Sequence, residues 1–184
     1  YGMGEAKLAR QLGLSRQEAK ELFAAIHRAA PFLKDTMNAT MDEADHLGYI
    51  TTILGRRSRF NMWVPRGYDE GSPPLPYEQA ILRYAHPQRA YLHKALNRRL
   101  QGSAADLLKV AMLQCWKDGL FNEVGVPRLT VHDELDFSDP GGKDHVFEEI
   151  YRVMENAIKF RVPVKVGVEV GPSWGAVEEV SRAA

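Results

Sequence analysis

The order of patterns between residues 129 and 170 constrains the fold of this chain more than any other feature. Leu129-Thr130-Val131 and Leu135-Asp136-Phe137 are short β-rich runs on either side of a polar turn, and Pro140-Gly141-Gly142 closes the unit. Residues 143–160 then switch to helical spacing, with Val146, Phe147, Ile150, Met154, Ala157 and Ile158 on one face. Val162, Val164, Val166, Val168 and Val170 alternate with Pro163, Lys165, Gly167 and Glu169, the period of a half-buried strand. A hairpin, a helix and a further strand predict an antiparallel sheet with helices on one face, an α+β arrangement.

The first half reads as helices followed by small strands. Residues 4–12 resemble the tail of a helix stopped by Gly13, and Ser15-Arg16-Gln17-Glu18 is a capping box opening the next. Leu22, Phe23, Ile26 and Ala30 recur at helical spacing until Pro31. A further helix carries Leu33, Met37, Met41, Ala44 and Leu47 on one face and ends at Gly48. Residues 49–54 are β-rich, and 60–64 is the candidate returning strand after the turn Gly55-Arg56-Arg57-Ser58. From 65 to 76 the chain is rich in Gly and Pro and reads as a loop. Pro87 is expected to open a helix carrying Tyr91, Leu92, Ala95 and Leu96, which Gly102 interrupts before it continues from 104 to 116.

The turn inside the C-terminal hairpin is His132-Asp133-Glu134. Adjacent carboxylates at a tight turn can hold divalent cations beside a phosphate, and phosphoryl transfer benefits from two ions bridging the attacking and leaving oxygens. Magnesium needs only one or two protein carboxylates, because substrate phosphates complete its shell. One Asp is nevertheless insufficient, and a second bridging carboxylate is required. Asp106 and Asp136 qualify by composition, although Asp106 falls in a helix and Asp136 on the hairpin.

Net charge is zero, with 24 Lys+Arg against 24 Asp+Glu, but the charge is unevenly placed. Residues 1–110 carry 16 basic and 11 acidic side chains, and the remainder carry 8 and 13. That division suits phosphate gripping by one part and metal binding by the other, and equally suits solvated helices of differing charge. No apolar run approaches the roughly 18 residues of a membrane span. Cys115, the single cysteine, lies among Met112, Leu113 and Trp116, as a buried structural thiol of a reducing, cytoplasmic setting would.

Five ordered motifs carry a resemblance. Tyr1-Gly2-Met3-Gly4 precedes Leu8-Ala9-Arg10-Gln11-Leu12-Gly13; Gly55-Arg56-Arg57 follows; then come Asn97…Gln101-Gly102-Ser103-Ala104-Ala105-Asp106 and Val131-His132-Asp133-Glu134-Leu135. In this order they resemble the C-terminal part of family A DNA polymerases, from Tyr1 to about Trp174. The resemblance implies the remainder of a fingers subdomain over 1–50 and the C-terminal half of a palm over 51–184, with 65–76 a loop. It implies that Tyr1 and Gly2 cover the nascent base pair. Asn97 and Gln101 would read minor-groove acceptors, which every base pair presents. Asp133 would be the palm metal ligand, with Glu134 the carboxylate beside it and His132 touching the primer terminus. Arg56 and Arg57 would grip phosphate, or simply form a solvated turn.

The implied partners are primer-template DNA and dNTP, and the implied cofactor is a pair of Mg²⁺ ions shared with an upstream polymerase half. That half would supply the second metal-binding Asp and the side chains holding the triphosphate, so the chain is expected to be a fragment that is inactive alone. Arg98-Arg99 departs from the usual Ala-Pro of bacterial members, and His93 replaces their usual Arg. His93…Ala95-Leu96-Asn97 and the long loop look more like phage-type members, which adds the possibility of a host cytoplasm. Two other functions fit the same residues: a duplex-binding module without chemistry, and a metal-dependent nuclease using His132 and Asp133.

Overall fold

The computed structural model describes residues 4–67 and 72–180. They form two compact units, Tyr1–Ser103 and Ala104–Ala184.

The first unit begins with helices α1 (Glu5–Leu12), α2 (Arg16–Ala29) and α3 (Pro31–Leu47). Ser15 caps α2 with the expected box: its hydroxyl accepts the Glu18 N–H at 3.2 Å, and the Glu18 carboxylate accepts the Ser15 N–H at 2.8 Å. The Ser15 hydrogen bonds hold the Glu18 carboxyl below its ordinary pKa. Pro31 stands at the start of α3, where its missing N–H costs nothing, and Gly48 closes that helix at φ 76°, a left-handed conformation glycine adopts without a Cβ clash. The apolar face expected on α2 is largely open: Ala19 is its buried residue, and Leu22 and Ile26 are exposed.

Small antiparallel sheets follow. Strands β1 (Tyr49–Thr51) and β2 (Arg57–Arg59) pair, so the returning strand is 57–59 and not 60–64. The turn tightens early because the Thr52 hydroxyl accepts the Arg56 N–H at 3.1 Å and the Thr52 carbonyl accepts that of Gly55 at 3.0 Å. Strand β3 (Met62–Pro65) instead pairs with β4 (Leu75–Pro76) and β5 (Pro87–Arg89). Pro87 therefore opens an edge strand, a place where its missing donor is tolerated, and not a helix. Between β4 and β5 lies the short helix α4 (Tyr77–Arg83), unanticipated from sequence. Ala44, Ile50, Phe60 and Ala95 form the core here, with Leu92 against them.

Helix α5 (Ala95–Lys117) begins in the first unit and ends in the second, unbroken at Gly102. Glycine is required there for close approach. A Cβ on Gly102 would lie 2.6 Å from Thr52 Cγ2.

In the second unit, α6 (Leu120–Val124), strands β6 (Leu129–Val131) and β7 (Glu134–Asp136), and α7 (Asp144–Asn156) follow the expected order. Cys115, Phe121, Val124, Val146 and Ile150 are the core, with Phe137, Phe147 and Met154 against them. Burial pushes the Cys115 thiol up to about 11, which leaves it protonated and inert at neutral pH. The valine run departs from expectation. Residues 163–168 form no ladder, and pairing starts only with β8 (Glu169–Ser173) against β9 (Ala176–Glu179). Val164, Val166 and Val168 are still half-buried between exposed neighbours, so the period-two alternation survives without a strand partner. The Val166 N–H finds the Glu155 carboxylate at 3.1 Å instead. Val162 and Trp174 are 70% and 67% exposed, so neither is core.

The α+β class stands, with strands distributed among four small sheets in the described residues and not gathered in one. No helix is long and apolar enough to cross a membrane.

Candidate nucleic-acid and metal site

In the first unit, the structure brings Arg56, Arg57, Asn97 and Gln101 onto one assembly of hairpin and helix. Asn97 and Gln101 are one turn apart on α5, so they share a face. Gln101 is exposed and Asn97 half-buried. Asn97 Oδ1 is buried without a hydrogen-bond partner among the described residues. An orphan buried amide oxygen costs about 1–3 kcal/mol.

The turns of α5 carrying these amides are tied to the hairpin by a series of polar contacts. Arg56 Nη2 donates to the Gly102 carbonyl at 2.9 Å. The Ser103 hydroxyl donates to the Arg99 carbonyl at 2.7 Å and accepts the Ile53 N–H at 3.0 Å. Arg56 thus serves as a tether, whereas Arg57 is exposed and lies 4.5 Å over the Tyr49 ring. His93 is held below its usual pKa, first by burial and then by Lys94 and Arg98, so near neutral pH it is an uncharged ring.

In the second unit, β6 and β7 are joined by the two residues His132 and Asp133, with Val131 opposite Glu134. His132 has φ 55°. Two-residue hairpins demand positive φ, and glycine or asparagine meets that demand at least cost. A histidine there stores strain of about 1–2 kcal/mol. His132, Asp133 and Glu134 are all exposed. Behind them Phe137 is set into the core, its ring 6.0 Å from Phe121 and 5.6 Å from Phe147. The tip is exposed and its root packs against the core.

Asp133 and Glu134 are exposed oxygen donors of the type that hard divalent cations take. Among the described residues no third His, Cys, Asp or Glu joins them in a cluster. Asp106 is buried at 5% exposure in α5, which removes it as an outward ligand. Asp136 lies on β7 opposite Leu129, with its Oδ2 buried. Tyr1 and Gly2 lie outside the described residues.

Comparison with known proteins decides the family. The model of DNA polymerase family A matches residues 1–176. The chain belongs to DNA polymerase family A. It is similar to DNA polymerase theta of Drosophila melanogaster, 31% identical over 98% of this chain and 8% of that protein. It is 32% identical to DNA polymerase I of Synechocystis over 95% of this chain and 18% of the relative. Among solved structures it resembles the POL domain of Pol1 from M. smegmatis in complex with DNA primer-template and dNTP, with a TM-score of 0.70 and 31% identity over 96% of this chain and 29% of that one. The chain therefore spans less than a third of the family A relatives it matches.

The tethering contacts of Arg98 and Arg99 and the left-handed backbone of His132 lie beyond what the sequence predicts. The arginine doublet after Asn97 was a visible departure, but its partners are more than 35 residues away. Histidine at the first position of a two-residue turn was the legible sign of the second.

Proposed function

We propose that this chain is the C-terminal part of a template-directed DNA polymerase that adds nucleotides to a primer 3′-OH in company with an upstream polymerase half. The observation that carries this reading is the exposed Asp133-Glu134 pair at the tip of a strained, core-anchored hairpin, in a chain matched by the family over residues 1–176.

On this reading, residues 1–50 are the remainder of the fingers and 51–184 the C-terminal half of the palm. Tyr1 and Gly2 cover the nascent base pair. Asn97 and Gln101 donate amide hydrogens to purine N3 and pyrimidine O2 in the minor groove, acceptors common to all base pairs, so they sense base-pair shape and not sequence. Arg57 contacts a backbone phosphate, and His132 orients the primer terminus. Asp133 would hold Mg²⁺, with Glu134 beside it and the other bridging carboxylate supplied by the upstream half. When bound, the ions supply charge stabilisation to the attacking and leaving oxygens. Asp133 is exposed beside the left-handed His132, and Phe137 packs against Phe121 and Phe147 at the root of the hairpin.

The test is Mg²⁺-dependent primer extension by this chain joined to an upstream polymerase half. Asp133→Ala is expected to lower kcat by about 10³-fold or more, the scale expected when charge stabilisation of the transition state is lost. Undiminished extension would remove the assignment. Salt-dependent duplex binding with no extension under any complementation would instead identify a binding module.

A further inference from the structure

Two arginines follow Asn97 directly, and both are engaged at the protein's own backbone. Arg98 lies 4.5 Å over the Phe60 ring and donates through Nη1 to the Arg59 carbonyl at 3.0 Å. Arg99 donates through Nη2 to Glu43 Oε1 at 2.6 Å and through Nε to the Thr51 carbonyl at 3.2 Å. A single side chain thus joins α5 to α3 and to β1.

Helical geometry gives this contact its meaning. Successive residues turn by about 100°, so Arg99 lies about 200° around the axis from both Asn97 and Gln101. The arginine holds the back of the turn whose front carries the two amides. The Glu43 and Arg99 side chains are 36% and 30% exposed, and a pair so placed adds little to global stability. Its effect falls on geometry, because it fixes how far the first turns of α5 stand from α3 and β1.

We propose that Arg99 and Glu43 are positioning residues for Asn97 and Gln101: their ion pair sets the depth at which both amides meet the minor-groove edge, and with it the discrimination against misshapen base pairs. The inference rests on the reading of Asn97 and Gln101 as minor-groove contacts.

The experiment measures kcat/KM for extending a mismatched and a matched primer terminus, using this chain with its upstream polymerase half. Arg99→Gln and Glu43→Gln are each expected to raise the mismatched-to-matched ratio by about tenfold, since small misplacement of a positioned group carries large rate effects. The charge-exchanged double variant, Arg99→Glu with Glu43→Arg, is expected to recover much of the discrimination. Ala80→Gly, which loosens α4 in the same unit, is expected to leave the ratio unchanged. If Gln101→Ala alters the ratio and the Arg99 and Glu43 variants do not, the positioning role is overturned while the minor-groove reading survives. If Gln101→Ala leaves the ratio unaltered, both fall. An equal rise in Ala80→Gly would reduce the effect to general loosening and overturn the proposal.

Discussion

Each of the two units holds its own candidate residues, and they do so in opposite ways. The Asn97–Gln101 turns belong to a long helix whose backbone and flanking arginines are tied repeatedly to a hairpin and a neighbouring helix. The Asp133-Glu134 tip has exposed side chains on a two-residue turn, anchored from behind by one aromatic side chain. Reading a groove edge calls for donors at a fixed height, which favours a rigid ridge with many distributed contacts. Holding a hydrated cation calls for carboxylates open to solvent and substrate, which favours a bare tip on a firm root. Rigidity is thus spread widely in one case and concentrated in the other.

That contrast can be broken by experiment. Phe137→Ala should destabilise the second unit by about 2–3 kcal/mol, because a partly buried ring between Phe121 and Phe147 leaves a cavity. Urea unfolding monitored by Cys115 labelling checks it, since that thiol is fully buried and reacts only after opening. A loss below about 0.5 kcal/mol would mean the tip does not depend on this anchor.

Gly102→Ala should cost about 1–3 kcal/mol, because the new methyl meets the buried Thr52 side chain. Thr52→Ser removes the clashing methyl and keeps the hydroxyl that accepts the Arg56 N–H. The double variant should therefore recover most of the loss in thermal unfolding, and failure to recover would place the constraint elsewhere. The smallest change is expected at the tip: His132→Gly should stabilise the chain by about 0.5–1 kcal/mol through release of positive-φ strain. On the proposed function, primer extension by this variant joined to an upstream polymerase half should fall. A variant that is both more stable and fully active would show that the histidine has no role at the terminus.

Legibility in the sequence followed the range of the forces involved. The capping box at Ser15, the stops at Gly13 and Gly48, and the periodicity of α7 were readable because each is set within one or two turns of chain. The hairpin is legible from its two β-rich runs around a polar turn, but the turn is His132-Asp133 and Glu134 already pairs with Val131, because no glycine or asparagine marks the bend. The valine run departs from its predicted strand because alternation reports which side of an extended segment is covered and not whether a neighbouring strand exists to pair with it. Gly102 suggests a break because glycine lowers helix propensity, while the close contact at this position comes from Thr52, fifty residues earlier.

Ordered motifs and local periodicity are properties of the chain alone, and they sufficed for the family and the α+β class; they also single out Asn97, Gln101, His132, Asp133 and Glu134 as the candidates on which the proposed function rests. Only the tertiary structure decided that α5 runs unbroken, that His132 sits in a left-handed turn, and that Arg99 reaches Glu43. Each of those depends on side chains or backbone brought together from distant positions, or on a dihedral angle that residue type permits but does not dictate.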